Sequence, residues 1–152
     1  MLNLRKASKE DESKIMVLVK SVLSDYGLKT NPQETDKDLS DLEDYYFNRN
    51  GWFAVIEKDN KIIGSYGIFK IDRKTCELRK MYLLSKYQGQ GFGKLMMEDA
   101  FKKARELGYS EIVLETNKLL NKAITLYGKY GFVQYKPSHL SDRCDFAMRK
   151  EL

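Results

Sequence analysis

Three glycines alternate with other residues in a short segment that is suited to phosphate binding. Residues 88–94 are Gln-Gly-Gln-Gly-Phe-Gly-Lys, and they lie between a strand-like apolar segment and a helical pattern. Glycines let the main chain approach a ligand, and the free N–H groups at a helix start carry partial positive charge. Lys94 stands in the first helical turn, where a cation is unfavourable unless an anion lies nearby. The segment therefore predicts a phosphate-bearing ligand.

The spacing of these glycines excludes two familiar phosphate loops. A Walker loop requires a glycine five residues before Gly93, where the chain has Gln88. It also requires a serine or threonine after the lysine, where Leu95 stands. A dinucleotide-binding fingerprint requires its third glycine at position 94, which is Lys94. Taken alone, the tract is also compatible with a purely structural turn, so the neighbouring segments must decide.

The elements around this segment follow from the hydrophobic pattern. Alternation and apolar runs predict strands over residues 3–7, 52–57, 61–71, 76–84, 112–114, 132–135 and 144–149. Helical spacing predicts helices over residues 15–26, 92–107 and 123–130, and another from Leu39 that ends near Asn50-Gly51. Ser8 and Asp11 resemble a capping box before the first helix, and Asp59-Asn60 marks a hairpin turn. A helix crossing between the strands at 76–84 and 111–116 predicts that these two strands run parallel or splay apart.

Composition bounds the class of protein. The chain has 152 residues, 42% hydrophobic and 12% aromatic, which predicts a single ordered domain over residues 1–152. No apolar run approaches the roughly 20 residues of a membrane helix. Residues 1–6 lack the apolar region of a signal peptide, so we expect a cytoplasmic protein. The net charge of +5 favours a polyanionic ligand, but the charges are too dispersed to indicate nucleic acid.

Cysteine and histidine offer little for a metal site. The chain has two cysteines, Cys76 and Cys144, and His139 is its single histidine. A Cys/His zinc site would therefore have at most three such ligands, and no Cys-x-x-Cys pair is present. We expect two buried thiols that act as small hydrophobic groups, and no metal.

Two segments together resemble the GNAT superfamily of acetyltransferases. Residues 78–84, followed by Gln88-x-x-Gly91-x-Gly93, resemble its core motif. Residues 123–132, a predicted helix that ends in Gly-Phe, resemble its second signature. The resemblance spans residues 76–135 and implies an α+β fold. It implies a mixed, mostly antiparallel sheet of six to seven strands with a splayed parallel pair in the middle, flanked by about four helices.

The resemblance implies a binding site for acetyl-CoA, which would act as the co-substrate. The main chain of Met81 and Leu83 would pair with the pantetheine arm. The pyrophosphate would lie on the N–H groups of Gln88, Gly89, Gln90, Gly91, Phe92, Gly93 and Lys94. Many members have asparagine where this chain has Leu120, so the neighbouring Asn117 or Asn121 is expected to contact the coenzyme. Ser85 stands where proline is common in the family, and this departure loosens the loop.

The resemblance also implies the catalytic groups. Tyr127 matches a tyrosine that protonates the departing thiolate, and its alternative role is aromatic packing of the helix on the sheet. Glu77 matches a glutamate that some members use as the base, and its alternative role is to pair with a basic neighbour. Strand alternation places Glu77 on the same face as Met81 and Leu83. The implied mechanism is direct attack of an amine on the thioester in a ternary complex, without a covalent enzyme intermediate.

The acceptor is expected to be a primary amine, on a small molecule or on a peptide or protein. Residues 25–48 and the carboxy-terminal strands, including Tyr135, His139 and Arg143, are expected to form its groove. We interpret an acidic stretch as a solvated helix face rather than an attractor for the amine; it comprises Asp36, Asp38, Asp41, Glu43 and Asp44. The alternative function is a non-catalytic acetyl-CoA sensor or scaffold with the same fold. A homodimer is left open, and neither nucleic acid nor a membrane is an expected partner.

Overall fold

The computed structural model describes residues 2–152, in which seven strands and four α-helices follow each other along the chain. The strands are β1 (Leu2–Lys6), β2 (Trp52–Lys58), β3 (Lys61–Lys70), β4 (Thr75–Leu83), β5 (Glu111–Thr116), β6 (Val133–Tyr135) and β7 (Phe146–Glu151). The helices are α1 (Glu12–Ser24), α2 (Leu42–Tyr45), α3 (Phe92–Glu106) and α4 (Asn121–Lys129). Met1, the first residue of the amino-terminal stretch considered above, lies outside the described residues.

The strands form one sheet in the order β1-β2-β3-β4-β5-β7-β6. All neighbouring strands are antiparallel except β4 and β5, which are parallel and lie in the middle of the sheet. Their pairing ends at Glu77 and Val113, although β4 continues to Leu83 and β5 to Thr116. The predicted mixed sheet with a parallel central pair is therefore confirmed, and the separation of these two strands opens a cleft.

Each face of the sheet has its own hydrophobic core. On one face, α3 buries Met96, Met97 and Ala100 against residues of β2 to β5, and Tyr127 of α4 joins this cluster. On the other face, α1 buries five side chains in a second cluster; they are Ile15, Leu18, Val19, Val22 and Leu23. Burying an aliphatic side chain of this kind stabilises the folded state by about 1.5–3 kcal/mol. The helices thereby fix the sheet between two layers.

The local turn signals of the sequence are confirmed in two places. The N–H of Ser8 donates to the Asp11 carboxylate at 2.8 Å, at a short 3-10 turn (Lys9–Asp11) that leads into α1. Asp59 and Asn60 have φ values of 51° and 65° and connect β2 to β3. Two consecutive residues with positive φ match the tight hairpin turn that follows the twist of antiparallel strands.

The prediction of one helix from Leu39 to near Asn50-Gly51 is wrong. The chain instead forms a 3-10 turn (Lys37–Ser40), the four-residue α2, and a second 3-10 turn (Phe47–Arg49). Asp41 interrupts the helical path because its backbone is nearly extended, with φ −156°, and its side chain accepts the N–H of Asp44 at 3.1 Å. A capping side chain of this kind starts a new helix and does not continue an old one.

The acidic stretch is correspondingly more complex than a solvated helix face. Asp41, Glu43 and Asp44 are exposed, as that interpretation requires. Asp36 and Asp38 are buried, with 0% and 3% relative exposure, and both lie within 3.4 Å of the ammonium nitrogen of Lys80. For these two residues the interpretation as a solvated face is wrong. A buried carboxylate requires such a partner, since charge is costly to bury unpaired.

A β-bulge alters the face that the end of β4 presents. Two residues of β4, Lys80 and Met81, stand opposite one residue of β3, Tyr66. Because successive strand residues alternate between faces, one extra residue reverses all later side chains. Met81 and Leu83 consequently pack with the α3 core, as Leu78 does. The expectation that Glu77 shares a face with Met81 and Leu83 is therefore wrong.

Within residues 2–152, every helix is too short or too polar to span a membrane.

Two aromatic side chains pack closely on Gly67, whereas Gly128 has open space around it, so alanine should affect stability differently at these two positions. A Cβ at Gly67 would lie 2.8 Å from Phe53 Cδ2 and 2.9 Å from Tyr46 Cε1, whereas one at Gly128 in α4 would meet nothing within 4 Å. We expect Gly67→Ala to lower the free energy of unfolding by about 1–3 kcal/mol because it overpacks the core. Gly128→Ala should raise it by about 0.5–1 kcal/mol, since alanine favours a helix interior. Urea denaturation of both variants measures this difference, and equal values would contradict it.

Candidate active site

The space between the separated ends of β4 and β5 is a cleft of about 740 Å³. The starts of α3 and α4 line it, and so do segments around residues 26–35 and 139–144. Ten residues proposed for the site from the sequence line this one cleft; they are Glu77, Met81, Leu83, Gln88, Gly89, Gly91, Gly93, Lys94, Asn117 and Tyr127. The structure therefore brings the two sequence motifs to a single place.

Three residues proposed from the sequence do not line the cleft: Gln90, Phe92 and Asn121. Gln90 Nε2 donates to the carbonyl of Lys86 at 3.2 Å, and the Phe92 ring packs toward Tyr87 with centroids 6.3 Å apart. The Asn121 carbonyl accepts the hydroxyl of Thr125 at 2.9 Å within the first turn of α4. Their side chains thus serve the local structure, and a role for the loop residues rests on their main chain alone.

Asn117 lies in the cleft wall, but its side chain is already bonded. Its Nδ2 donates to the carbonyl of Arg143 at 2.8 Å, and its Oδ1 accepts the N–H of Leu119 at 2.9 Å. The amide thereby joins the end of β5 to the segment before β7. A side-chain contact from Asn117 to a ligand would have to replace one of these bonds or share its oxygen.

The glycine loop forms an open cradle of main-chain donors. Gly89 and Gly91 have φ values of 77° and 88°, and no heavy atom lies within 4 Å of a Cβ built at either position. Gly91 is the N-cap of α3, and the first helical bond there runs from the N–H of Leu95 to its carbonyl at 3.1 Å. The N–H groups before Leu95 have no acceptor within the helix. They can donate to an anion, as a diphosphate requires.

The edge of β4 beyond Glu77 is open on the side of β5, so an extended ligand can pair with its main chain. Gln88 spans this edge: its Nε2 donates to the carbonyl of Leu83 at 3.1 Å. The side-chain oxygen of Gln88 is buried and accepts no hydrogen bond from residues 2–152. A buried acceptor without a donor is costly unless a ligand supplies one. An extended ligand with amide groups could supply the hydrogen-bonding partners that this edge and this oxygen lack.

Tyr127 presents a protonated hydroxyl to the cleft. The side chain is 6% exposed and its ring packs edge-on against Phe132, with centroids 5.7 Å apart. Burial raises the pKa of Tyr127 above its ordinary value of 10, and the nearby Tyr82 and Cys144 raise it further. No hydrogen bond to this hydroxyl is found within residues 2–152. Both expected roles are therefore compatible with the structure, since the ring packs while the hydroxyl is free to donate.

Glu77 is a buried carboxylate that lines the cleft and pairs with a neighbour. Its Oε1 accepts a hydrogen bond from Arg79 Nε, and the Arg79 guanidinium lies 3.6 Å from the centre of the Phe69 ring. Burial raises the pKa of Glu77, and Arg79 opposes this shift. The alternative of a pairing charge is thus observed, and the same carboxylate lines the cleft. A raised pKa makes a carboxylate a better proton acceptor near neutral pH.

Several cleft residues were not found from the sequence. Glu115, Lys122 and Lys129 are such residues. Tyr26 and Glu34, from the segment 25–48 expected in the acceptor groove, also line the cleft, and so do His139 and Arg143, which were expected there too. Tyr135, also expected there, does not line it. Lys80, Asp36 and Asp38 form ion pairs across a separation of more than forty residues, and no local pattern in the sequence signals such pairs.

The two cysteines differ in their burial. Cys76 is buried as expected, and burial raises its pKa to about 12. Cys144 is half-buried and lines the cleft, so the expectation of two buried thiols holds for one of them. Among the described side chains, His, Cys, Asp and Glu form no group of three or more that could hold a metal ion.

Curated proteins of similar sequence match this chain over much of its length. Residues 19–132 match the model of the acetyltransferase (GNAT) family. The N-acetyltransferase YjgM of Escherichia coli (strain K12) is 31% identical over 134 residues, which cover 85% of this chain and 80% of that protein. Human N-acetyltransferase 8B is 32% identical over 101 residues, and the match covers 62% of this chain and 44% of that longer protein.

Solved structures share the fold along nearly the whole chain. A GNAT-family acetyltransferase from Staphylococcus aureus Mu50 superposes with a TM-score of 0.93 at 20% identity, covering 99% of both chains. An acetyltransferase from Clostridium acetobutylicum, solved with acetyl-CoA, superposes with a TM-score of 0.74 at 26% identity, covering 93% of this chain and 95% of that one. The sequence match and the common fold agree. The chain is an acyltransferase that belongs to the acetyltransferase (GNAT) family.

Proposed function

We propose that this enzyme transfers an acetyl group from acetyl-CoA to a primary amine by direct attack within a ternary complex. The observation that carries the proposal is the single cleft that joins the glycine cradle, the open edge of β4 and the Tyr127 hydroxyl. A structural neighbour from Clostridium acetobutylicum was solved with acetyl-CoA, which supports this choice of co-substrate. Because both substrates can occupy one cleft, no covalent enzyme intermediate is required.

The proposed coenzyme end of the cleft is defined by donors and cations. The diphosphate would lie on the main-chain N–H groups of residues 88–94, which Gly89 and Gly91 leave accessible. Lys94, Lys122 and Lys129 line the same cleft, and none of them forms an ion pair with a carboxylate within residues 2–152. The pantetheine arm would pair with the main chain of Met81 and Leu83, where β5 has separated from β4. Charge and hydrogen-bonding groups thus match an extended polyanion.

The proposed acceptor end has the opposite charge balance. Glu34, Glu77 and Glu115 line the cleft, and no ion pair is found for Glu34 or Glu115 across residues 2–152. The cations beside them are already committed: Arg79 pairs with Glu77, and Arg143 pairs with Asp36. An acceptor that carries an ammonium group therefore complements this end better than one that carries a carboxylate. The acceptor is proposed to be an amine of a small molecule, peptide or protein.

The proposed roles in transfer follow from this placement. Acetyl-CoA supplies a thioester, whose carbonyl carbon is attacked and whose thiolate departs. Glu77 would accept a proton from the amine, directly or through water, and Tyr127 would donate one to the departing sulfur. Developing charge on the carbonyl oxygen would be stabilised by a main-chain N–H at the end of β4. Each role uses a group that lines the cleft.

Replacing Tyr127 by phenylalanine tests whether its hydroxyl is the proton donor to the departing thiolate. The variant keeps the ring that packs on Phe132 and removes the hydroxyl alone, so we expect kcat to fall roughly 100-fold with unchanged coenzyme affinity and melting temperature. Steady-state kinetics with a responsive amine measure kcat, and calorimetry measures coenzyme A binding. Tyr130→Phe on the same helix is the matched control, because Tyr130 lies outside the cleft lining. Unchanged turnover in Tyr127→Phe would remove the acid role, and binding without turnover in the parent enzyme would identify the sensor function instead.

Gly93 offers a selective test of the cradle. A Cβ there would meet only the end of the flexible Leu126 side chain at 3.4 Å, so the protein itself accommodates alanine. Because Gly93 lines the cleft, the added methyl would obstruct the approach of the diphosphate. We expect Gly93→Ala to keep its melting temperature and to weaken coenzyme A binding roughly tenfold. Gly128→Ala should bind normally. If Gly93→Ala binds coenzyme A as tightly as the parent enzyme does, the diphosphate does not lie against Gly93.

The pH dependence of turnover tests Glu77. Burial raises the pKa of this carboxyl above 4.5, so a base role predicts a rate that rises as pH increases through that raised pKa. Tyr127 stays protonated over this range because burial raises its pKa also. In Glu77→Gln we expect kcat to fall roughly 100-fold at neutral pH and the acidic limb due to Glu77 to disappear. The pH dependence of kcat is measured for both enzymes with the same amine. If their acidic limbs superimpose, Glu77 is not the base and serves only as the partner of Arg79.

A further inference from the structure

A cluster of four charges, of which Asp36, Asp38 and Lys80 are buried and Arg143 is half-buried, lies beside the proposed site and takes no part in the chemistry described above. Lys80 Nζ lies 3.1 Å from Asp38 Oδ1 and 3.4 Å from Asp36 Oδ1, and it donates to the carbonyl of Thr35 at 3.1 Å. Arg143 binds both oxygens of Asp36, at 2.7 and 2.8 Å. Two cations and two carboxylates balance in this cluster, as buried charges require.

Lys80 is also the residue with an unusual backbone in β4. Its φ is 53°, a left-handed value that a residue with a side chain rarely adopts. It stands at the bulge, where Lys80 and Met81 oppose the single residue Tyr66. The Ser65 hydroxyl donates to the Lys80 carbonyl at 2.7 Å. The backbone is therefore held by its neighbours at the carbonyl, while the ammonium is held at the far end of the side chain.

The cluster joins three segments that line the cleft. The segment before α2 contributes Asp36, β4 contributes Lys80, and the segment between β6 and β7 contributes Arg143. Asp36 also accepts the N–H of Asn31 at 2.7 Å, and Arg143 donates to the carbonyl of Lys29 at 3.1 Å. The two loop segments belong to the acceptor end of the cleft, whereas the bulge precedes the main chain proposed to hold the acyl thioester.

We propose that Lys80 is a positioning residue for acyl transfer, which holds the β4 bulge and the two acceptor-side loops as one unit through Asp36 and Asp38. The inference rests on the proposed function, because the bulge matters through the main chain that it presents to the thioester. Lys80 itself touches neither substrate in this account. Its ammonium fixes how far the acceptor end stands from the acyl end, and direct attack depends on that distance.

The test compares Lys80→Met with Lys14→Met, a matched change at an exposed lysine of α1. We expect Lys80→Met to lose roughly 10- to 100-fold in kcat and to raise the KM for the amine, because the reacting groups are misplaced. Coenzyme A should still bind with full stoichiometry and within about threefold of the normal affinity, since the cradle is untouched. Lys14→Met should match the parent enzyme in every measurement. A normal kcat in folded Lys80→Met, or a kcat loss that only follows lost binding stoichiometry, would overturn the inference.

Hydrogen exchange supplies a readout that does not depend on turnover. In Lys80→Met, we expect faster amide exchange in residues 25–36, 79–83 and 136–145, with unchanged exchange in α3. If exchange becomes faster throughout the protein, or does not change in any segment, Lys80 has only a structural role. Failure of the parent enzyme to acetylate any amine would count against the proposed function, whereas this pattern of exchange bears on the coupling alone.

A second variant guards against misfolding. Lys80→Met combined with Asp38→Asn removes one charge of each sign, so Asp36 keeps Arg143 and no buried charge is left over. The amide oxygen of asparagine can still accept the hydroxyl of Tyr46, which now bonds Asp38. The same loss of kcat with retained coenzyme binding is expected in this double variant. Normal turnover in it, or failure of both variants to fold, would show that Lys80 does not position the site.

Discussion

Two parallel strands in the middle of this sheet stay paired for three residues each and then separate, and the whole site is built in the space between them. If β4 and β5 remained paired to their ends, their main-chain groups would be used within the sheet and no ligand could reach them. The separation leaves the edge of β4 available while β3 still holds its other side. The two helices that follow these strands then place the glycine cradle and Tyr127 at one opening.

The charges of the cleft are arranged around this separation. Lysines and carboxylates both line the cleft. Two cations that line it are already paired, Arg79 with Glu77 and Arg143 with Asp36, so their charge is locally neutralised. These ion pairs hold charged side chains in place before any substrate binds. Such preorganisation lowers the cost of reaching a reactive geometry.

The sequence was sufficient for features that depend on local chemistry. The capping contact of Ser8 with Asp11 and the Asp59-Asn60 turn each follow from the local residue types. The bulge at Lys80 could not be foreseen, because it depends on how β4 pairs with β3 and not on the residues of β4. Burial of Asp36 was equally hidden, since its partners Lys80 and Arg143 lie far along the chain. Strand alternation and acidic composition fail where tertiary pairing decides the outcome.

The pairing of Asp36 with Arg143 has a consequence for how the enzyme folds. These residues are 107 positions apart in the chain, and β2 to β6 with α2, α3 and α4 lie between them. Contacts of such long range carry a large loop-closure cost and form only after the intervening structure has brought the ends together. We therefore expect the Asp36–Arg143 ion pair to form late in folding, after the strands and helices between its two residues. The wall of the cleft that this pair holds would take its shape only at that stage.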